Sequence, residues 1–91
     1  NSFIQVLVEE NVSRANIKNW YTSRFFSLVE EERFVENDNW EGVYSLDDLA
    51  IYLTNKQKTH VYTILYQVPE GQAQSYINIF KIIVNSFLVD L

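Results

Sequence analysis

The chain has 91 residues, of which 47% are hydrophobic, 15% aromatic and 21% charged, with a formal net charge of −5 and no cysteine. A chain this short forms one domain that removes only about 60–65% of its unfolded surface from water, and the missing cysteines exclude a disulfide framework, a thiolate zinc site and a thiol nucleophile. The acidic balance, with a pI near 4.6, argues against nucleic-acid backbones and anionic membranes, which bind through clustered Lys and Arg, and leaves protein, including a basic protein, as the expected partner.

The opening residues "NSFIQVLVEENV" lack a basic region and meet Glu9 and Glu10 after a short apolar run, which is not the pattern of a signal peptide. With the absence of cysteine, this leans towards a cytoplasmic or other intracellular setting. The chain begins with Asn1 rather than Met, so the expectation is a piece of a longer protein. No repeat, low-complexity tract or Pro/Gly-rich linker divides it, and residues 1–91 read as a single globular domain. Asn11-Val12-Ser13 fits the glycosylation sequon, a triplet that arises often by chance.

Residues 3–8, "FIQVLV", form an apolar, β-branched run that predicts a strand covered on both faces, with a helical turn as the alternative. Ser13 is a plausible N-cap, and Ile17, Trp20, Tyr21, Phe25, Leu28 and Val29 then recur at helical spacing. After Glu30-Glu31-Glu32, the pieces "RFV" and "WEGVY", separated by "ENDN", predict a small hairpin. Ser45 followed by Asp48 resembles a capping box and predicts a second helix, with Leu46, Leu49, Ala50 and Leu53 along one face. "THVYTILYQV", residues 59–68, is dense in strand-forming residues, although Val61, Ile64, Leu65 and Val68 also fit a helical stripe; Pro69 and Gly71 end it in either case.

The last sixteen residues hold eleven apolar side chains. On a wheel of about 100° per residue, Ile83, Tyr76, Phe87, Phe80, Leu91, Val84, Ile77 and Leu88 fall in one arc of about 140°, an ordinary core face. Ile79, Ile82 and Val89 fill much of the remaining flank beside a polar strip of Asn78, Lys81 and Asn85. Apolar burial does not by itself offset the backbone entropy of ordering such a helix, so it must dock. The segment is too short and too polar to span a bilayer, which needs about 20 apolar residues, and it lacks the basic face of an interfacial helix. Ile79, Ile82, Val89, Phe87 and Leu91 are the candidate contact residues for a second chain, with Phe87 and Leu91 as core alternatives.

Residues 30–41, "EEERFVENDNWE", carry the carboxylates Glu30, Glu31, Glu32, Glu36, Asp38 and Glu41 against one base, Arg33. Such a run is ordinarily a solvated surface; the functional alternative is an inhibitor or immunity-type face that covers a basic partner, with Trp40 and Phe34 as aromatic anchors. From Asn37, "NDNWEGVYSLDDL" offers oxygens at Asn37, Asn39, Glu41, Ser45 and Asp48, Gly42 at the sharp-turn position and Leu49 after the loop. In these residues it resembles in part the calcium loop of EF-hand and dockerin modules. It departs from them at both ends, with Asn37 where those loops open with Asp and Asp48 where EF-hands close with Glu. The resemblance implies, at most, a degenerate calcium site over residues 37–48.

His60 is the sole histidine and stands in a strand-like aromatic run, more often a structural position than a general base. There is no Gly-rich phosphate loop, nucleophile elbow or histidine cluster, and the aromatic residues are not interleaved with basic ones as base-stacking surfaces are. No catalytic residue, cofactor or metal is therefore expected. In chain order the elements match the split β-α-β-β-α-β plan with an added C-terminal helix, an α+β domain, with a mostly helical fold as the alternative. The functional expectation is a non-enzymatic module that binds protein, as a homodimer through its C-terminal helix.

Overall fold

The computed structural model describes residues 3–69, 71 and 73–87, with 73–75 described by backbone alone. It is an α+β domain in which β1 (Phe3–Glu10), β2 (Phe34–Glu36), β3 (Trp40–Tyr44), β4 (Ala50–Asn55) and β5 (His60–Gln67) form one antiparallel sheet in the order β1-β5-β4-β3-β2. Helix α1 (Ile17–Phe25) lies on one face and α2 (Ala73–Asn85) on the other. The mostly helical alternative does not form.

The sequence reading holds at β1, at the β2–β3 hairpin, at β5 and at α2, and fails at Ser45–Leu53. There, Ser45 and Asp47 build a turn in place of a helix start. The Ser45 hydroxyl donates to Asp47 Oδ1 at 2.6 Å and accepts from the Ala50 N–H at 3.1 Å, Asp47 Oδ1 accepts from the Leu49 N–H, and Asp48 takes φ 61°. The Ser45 hydroxyl, with help from the Leu49 N–H, holds the Asp47 carboxyl below its ordinary range. Ser and Asp side chains serve helix caps and turns through the same short-range bonds, so the local signal is ambiguous. The turn feeds β4, a central strand covered on both faces, where alternation is hidden and chance helical spacing misleads. The split β-α-β-β-α-β plan is thereby replaced by β-α-β-β-β-β-α.

Helix α1 is also shorter than the apolar spacing suggests. Its N-cap is Asn16, whose Oδ1 accepts from the Asn19 N–H at 2.9 Å, rather than Ser13. It ends at Phe26, which takes φ 54° and donates its N–H to the Thr22 carbonyl, so Leu28 lies beyond the helix and exposed.

Two apolar clusters hold the three layers. Under α2, Trp40, Tyr44, Ile51, Leu53, Ile64 and Tyr66 of the sheet meet Phe80 and Val84. Under α1, Ile17 and Tyr21 meet Val43 and Val61, with Trp20, Phe34 and Tyr52 partly buried around them. Gly42 is required by this packing: a Cβ there would stand 2.9 Å from Ile51 Cδ1 and 3.2 Å from Leu53 Cβ. Burial and the charge of Asp48 push the Tyr44 phenol up to about 12.

Candidate functional site

The sequence placed its candidates on α2 and on residues 30–48, and the structure treats these regions differently. On α2, Phe80 and Val84 are fully buried, and Lys81 holds one flank against β3: its Nζ lies 3.7 Å from Asp48 Oδ1 and 5.2 Å from the centre of the Tyr44 ring. Ile79 and Ile83 fall on the opposite flank, towards β5 and β1, and Ile82 points away from the sheet. Ile79 is 48% exposed, Ile82 70% and Ile83 40%. Ile83 was expected in the core arc and instead forms part of the open flank. Phe87 belongs to the domain itself: it is half-buried against the core, its ring lies 6.1 Å from that of Tyr62, and its carbonyl accepts from Trp40 Nε1 at 2.9 Å. Val89 and Leu91 lie outside the described residues.

Beside that flank runs β1, against which the strand expectation needs a correction. Instead of being covered on both faces, β1 is an edge strand of which only Ile4 is half-buried; Phe3 is 59% and Val8 56% exposed, and Val6 and Leu7 are similarly open. The register Ile4↔Tyr66, Val6↔Ile64 and Val8↔Tyr62 places these three β1 side chains on the α2 face, while Phe3, Gln5, Leu7 and Glu9 share the α1 face. Just past the strand, the Asn11 N–H donates to the Thr59 carbonyl at 2.9 Å, in line with the Glu10↔His60 register. Alternation along an antiparallel ladder then turns the N–H and C=O of odd-numbered residues towards β5 and those of Ile4, Val6, Val8 and Glu10 out to the open edge.

The aromatic residues of the acidic run are drawn into the fold, while five of its six carboxylates stay exposed. Trp40 is 1% exposed, a core residue and not an anchor for a partner. Phe34 is half-buried beneath α1 with Lys18 Nζ 4.3 Å from its ring centre. Glu41 accepts from the Ile17 N–H at 2.7 Å, a carboxylate at a helix N-terminus, where the dipole favours it. Glu31 pairs with Lys18 at 2.6 Å and Glu36 lies 3.8 Å from Lys56. Glu30, Glu32 and Asp38 are exposed as well, Glu30 just before and Glu32 within the short helical turn Glu31–Arg33, and Asp38 in the β2–β3 turn.

The oxygens proposed for calcium do not converge. Asn37 Oδ1 accepts from the N–H groups of Asn39 and Trp40 to close the hairpin, Gly42 sits inside β3, and Ser45 and Asp48 lie past its far end, about 16 Å along an extended strand. Five ligand types in the right order thus become a hairpin, because the segment between them is a strand instead of a loop. Asn11 is buried, and its Nδ2, the atom a glycan would need, donates to the Ala15 carbonyl at 2.8 Å. His60 is half-buried with Nδ1 3.0 Å from Thr59 Oγ1, at the sheet end of a cleft shared with Glu10 and Arg14.

Among the described residues, the aliphatic flank of α2 and the bare edge of β1 are open apolar surfaces, as are Phe26 and Leu28 beyond α1. The β1 edge was missed because a six-residue apolar run reads as buried whichever position it takes in a sheet. Two polar neighbours, Glu9 and Glu10, were the available sign that the strand meets solvent. No helix among the described residues is long and apolar enough to cross a membrane. No family model, curated protein or solved structure matches the chain.

Proposed function

We propose that this domain is a non-enzymatic association module that binds a second protein chain, in the first instance its own copy, through the outer flank of α2. The observation that carries the reading is the exposure of Ile79 and Ile82 on a helix whose opposite side is already anchored by Phe80 and Val84. Phe80 and Val84 already anchor the helix, so the surface that Ile79 and Ile82 leave open adds nothing to the monomer. Covering an aliphatic side chain of this size is worth about 1.5–3 kcal/mol, enough for three of them to set an affinity.

The test is solution mass. Wild-type protein is expected at twice the 10.8 kDa of one chain in light scattering. Ile79→Asp should shift it towards monomer by at least tenfold in dissociation constant, about 1.4 kcal/mol, with little dependence on salt. A wild-type chain that remains monomeric at high concentration overturns the reading.

A further inference from the structure

We infer that two copies of the domain join through their β1 strands, paired antiparallel about a two-fold axis at Val6, so that the two five-stranded sheets become one. The inference rests on the self-association proposed above and names its geometry. Three independent features of β1 converge on it.

The first is the backbone. Ile4, Val6 and Val8 turn their N–H and C=O groups outward, and a two-fold axis at Val6 sets Val6 opposite Val6 and Ile4 opposite Val8 of the other copy. All of these are hydrogen-bonding positions, so the pairing makes about six new backbone bonds without disturbing the ladder to β5. The axis stands perpendicular to the sheet and keeps each face on its own side. Ile4, Val6 and Val8 of both copies therefore meet on the α2 face, with Ile79 and Ile83 along both margins.

The second is charge. A strand from a chain of net charge −5 meets its own copy with little repulsion only if its carboxylates stay apart. The Val6-centred register puts Glu9 opposite Phe3, at the far end of the strand from the second Glu9, and Glu9 is already paired with Arg24 of its own chain. The central residues, Ile4 to Val8, carry no charge at all.

The third is extent and closure. Exposed side chains at Phe3, Val6, Leu7, Val8, Ile79 and Ile83, together with an eight-residue backbone edge, present several hundred square ångströms, on the order of the roughly 800 Å² that each partner gives to a standard interface. The pairing is isologous and uses up the one long edge, while β2 at the other side is three residues long and ends in Glu36, so assembly closes at two.

The absence of cysteine from the chain makes single-cysteine cross-linking a clean test. Across the two-fold axis, Val6→Cys brings two Cα atoms to about 5.5 Å, inside the range a disulfide tolerates, while Gln5→Cys and Leu7→Cys leave theirs at the diagonal separation of about 7–8 Å. The expected result is rapid covalent dimer from Val6→Cys and at most slow cross-linking from the other two; equal or faster cross-linking at Gln5→Cys or Leu7→Cys overturns the proposed register. Val6→Pro removes an outward N–H while sparing the β5 ladder, and should give a monomer with wild-type far-ultraviolet circular dichroism. A dimer that survives Val6→Pro but is lost in Ile79→Asp overturns the strand pairing and leaves the association reading standing, whereas a monomeric wild type overturns both.

Discussion

The sheet ends on β2 at one side and on β1 at the other. β2 is three residues long, its Phe34 and Val35 are half-buried, its Glu36 lies near Lys56, and the Arg33 guanidinium before it donates to the Tyr44 carbonyl at 2.9 Å and to the Tyr21 hydroxyl at 2.6 Å. β1 is eight residues long, carries no Lys or Pro, and shows solvent an apolar side chain on each face. Both are edges of one hydrogen-bonded surface, yet β2 joins short length and side-chain cover to its charge, whereas β1 carries its two glutamates only at its C-terminal end and leaves Phe3 to Val8 uncharged. The difference teaches that the fold can blunt an edge and has done so on one side alone.

That contrast can be broken most forcefully from the β2 side. Trp40→Ala, in β2's partner strand, removes a fully buried ring and the bond from its Nε1 to the Phe87 carbonyl, and should cost about 3–5 kcal/mol in denaturant unfolding. For a domain of this size, that is a large share of the total. Arg33→Ala leaves the Tyr44 carbonyl and the Tyr21 hydroxyl without their charged donor and should cost about 1.5–3 kcal/mol by the same measurement.

The core beside β2 also responds to alkali. The Tyr44 phenol ionises near 12 in the folded protein against an ordinary value of 10.0, so folding favours its neutral form. Its contribution is complete below pH 10 and is lost as pH rises from 10 to 12. Thermal unfolding followed over that window should show a steeper fall for wild type than for Tyr44→Phe. At the β1 side the expected effect on monomer stability is the smallest: Leu7→Lys should change it by no more than about 0.5 kcal/mol while the dimer mass disappears. A loss at Leu7 as large as that at Arg33 would place β1 within the core and erase the distinction between the edges.

Much of the architecture was legible where a residue pattern has one physical solution. "ENDN" between two β-prone pieces gave the hairpin because Asn37 closes it with its own side chain, and the run from His60 to Gln67 gave β5 because its Tyr, Thr and Val suit a pleated surface. Patterns with two solutions misled. The Ser45–Asp48 segment satisfied the rule for a helix cap and formed a turn. Asn37 to Asp48 satisfied the order of calcium ligands and formed a strand. Trp40, in a run of six acids, looked like a surface anchor and is core, since nothing in a linear stretch tells which side of a strand faces a helix. On α2, the wheel separated Phe80 and Val84 from Ile79 and Ile82 correctly, because a helix fixes its own faces.

The sequence by itself determined that this is a small acidic chain with a C-terminal helix richer in apolar side chains than one docking face requires, and it favoured an α+β domain over a helical one; composition and helical period are properties of the chain alone. Only the tertiary structure decided that the first strand lies at the sheet edge, that its bare side adjoins the open flank of α2, and that the opposite edge is closed. Strand order is set by long-range pairing, and an apolar strand carries no local mark of whether it has one neighbour or two.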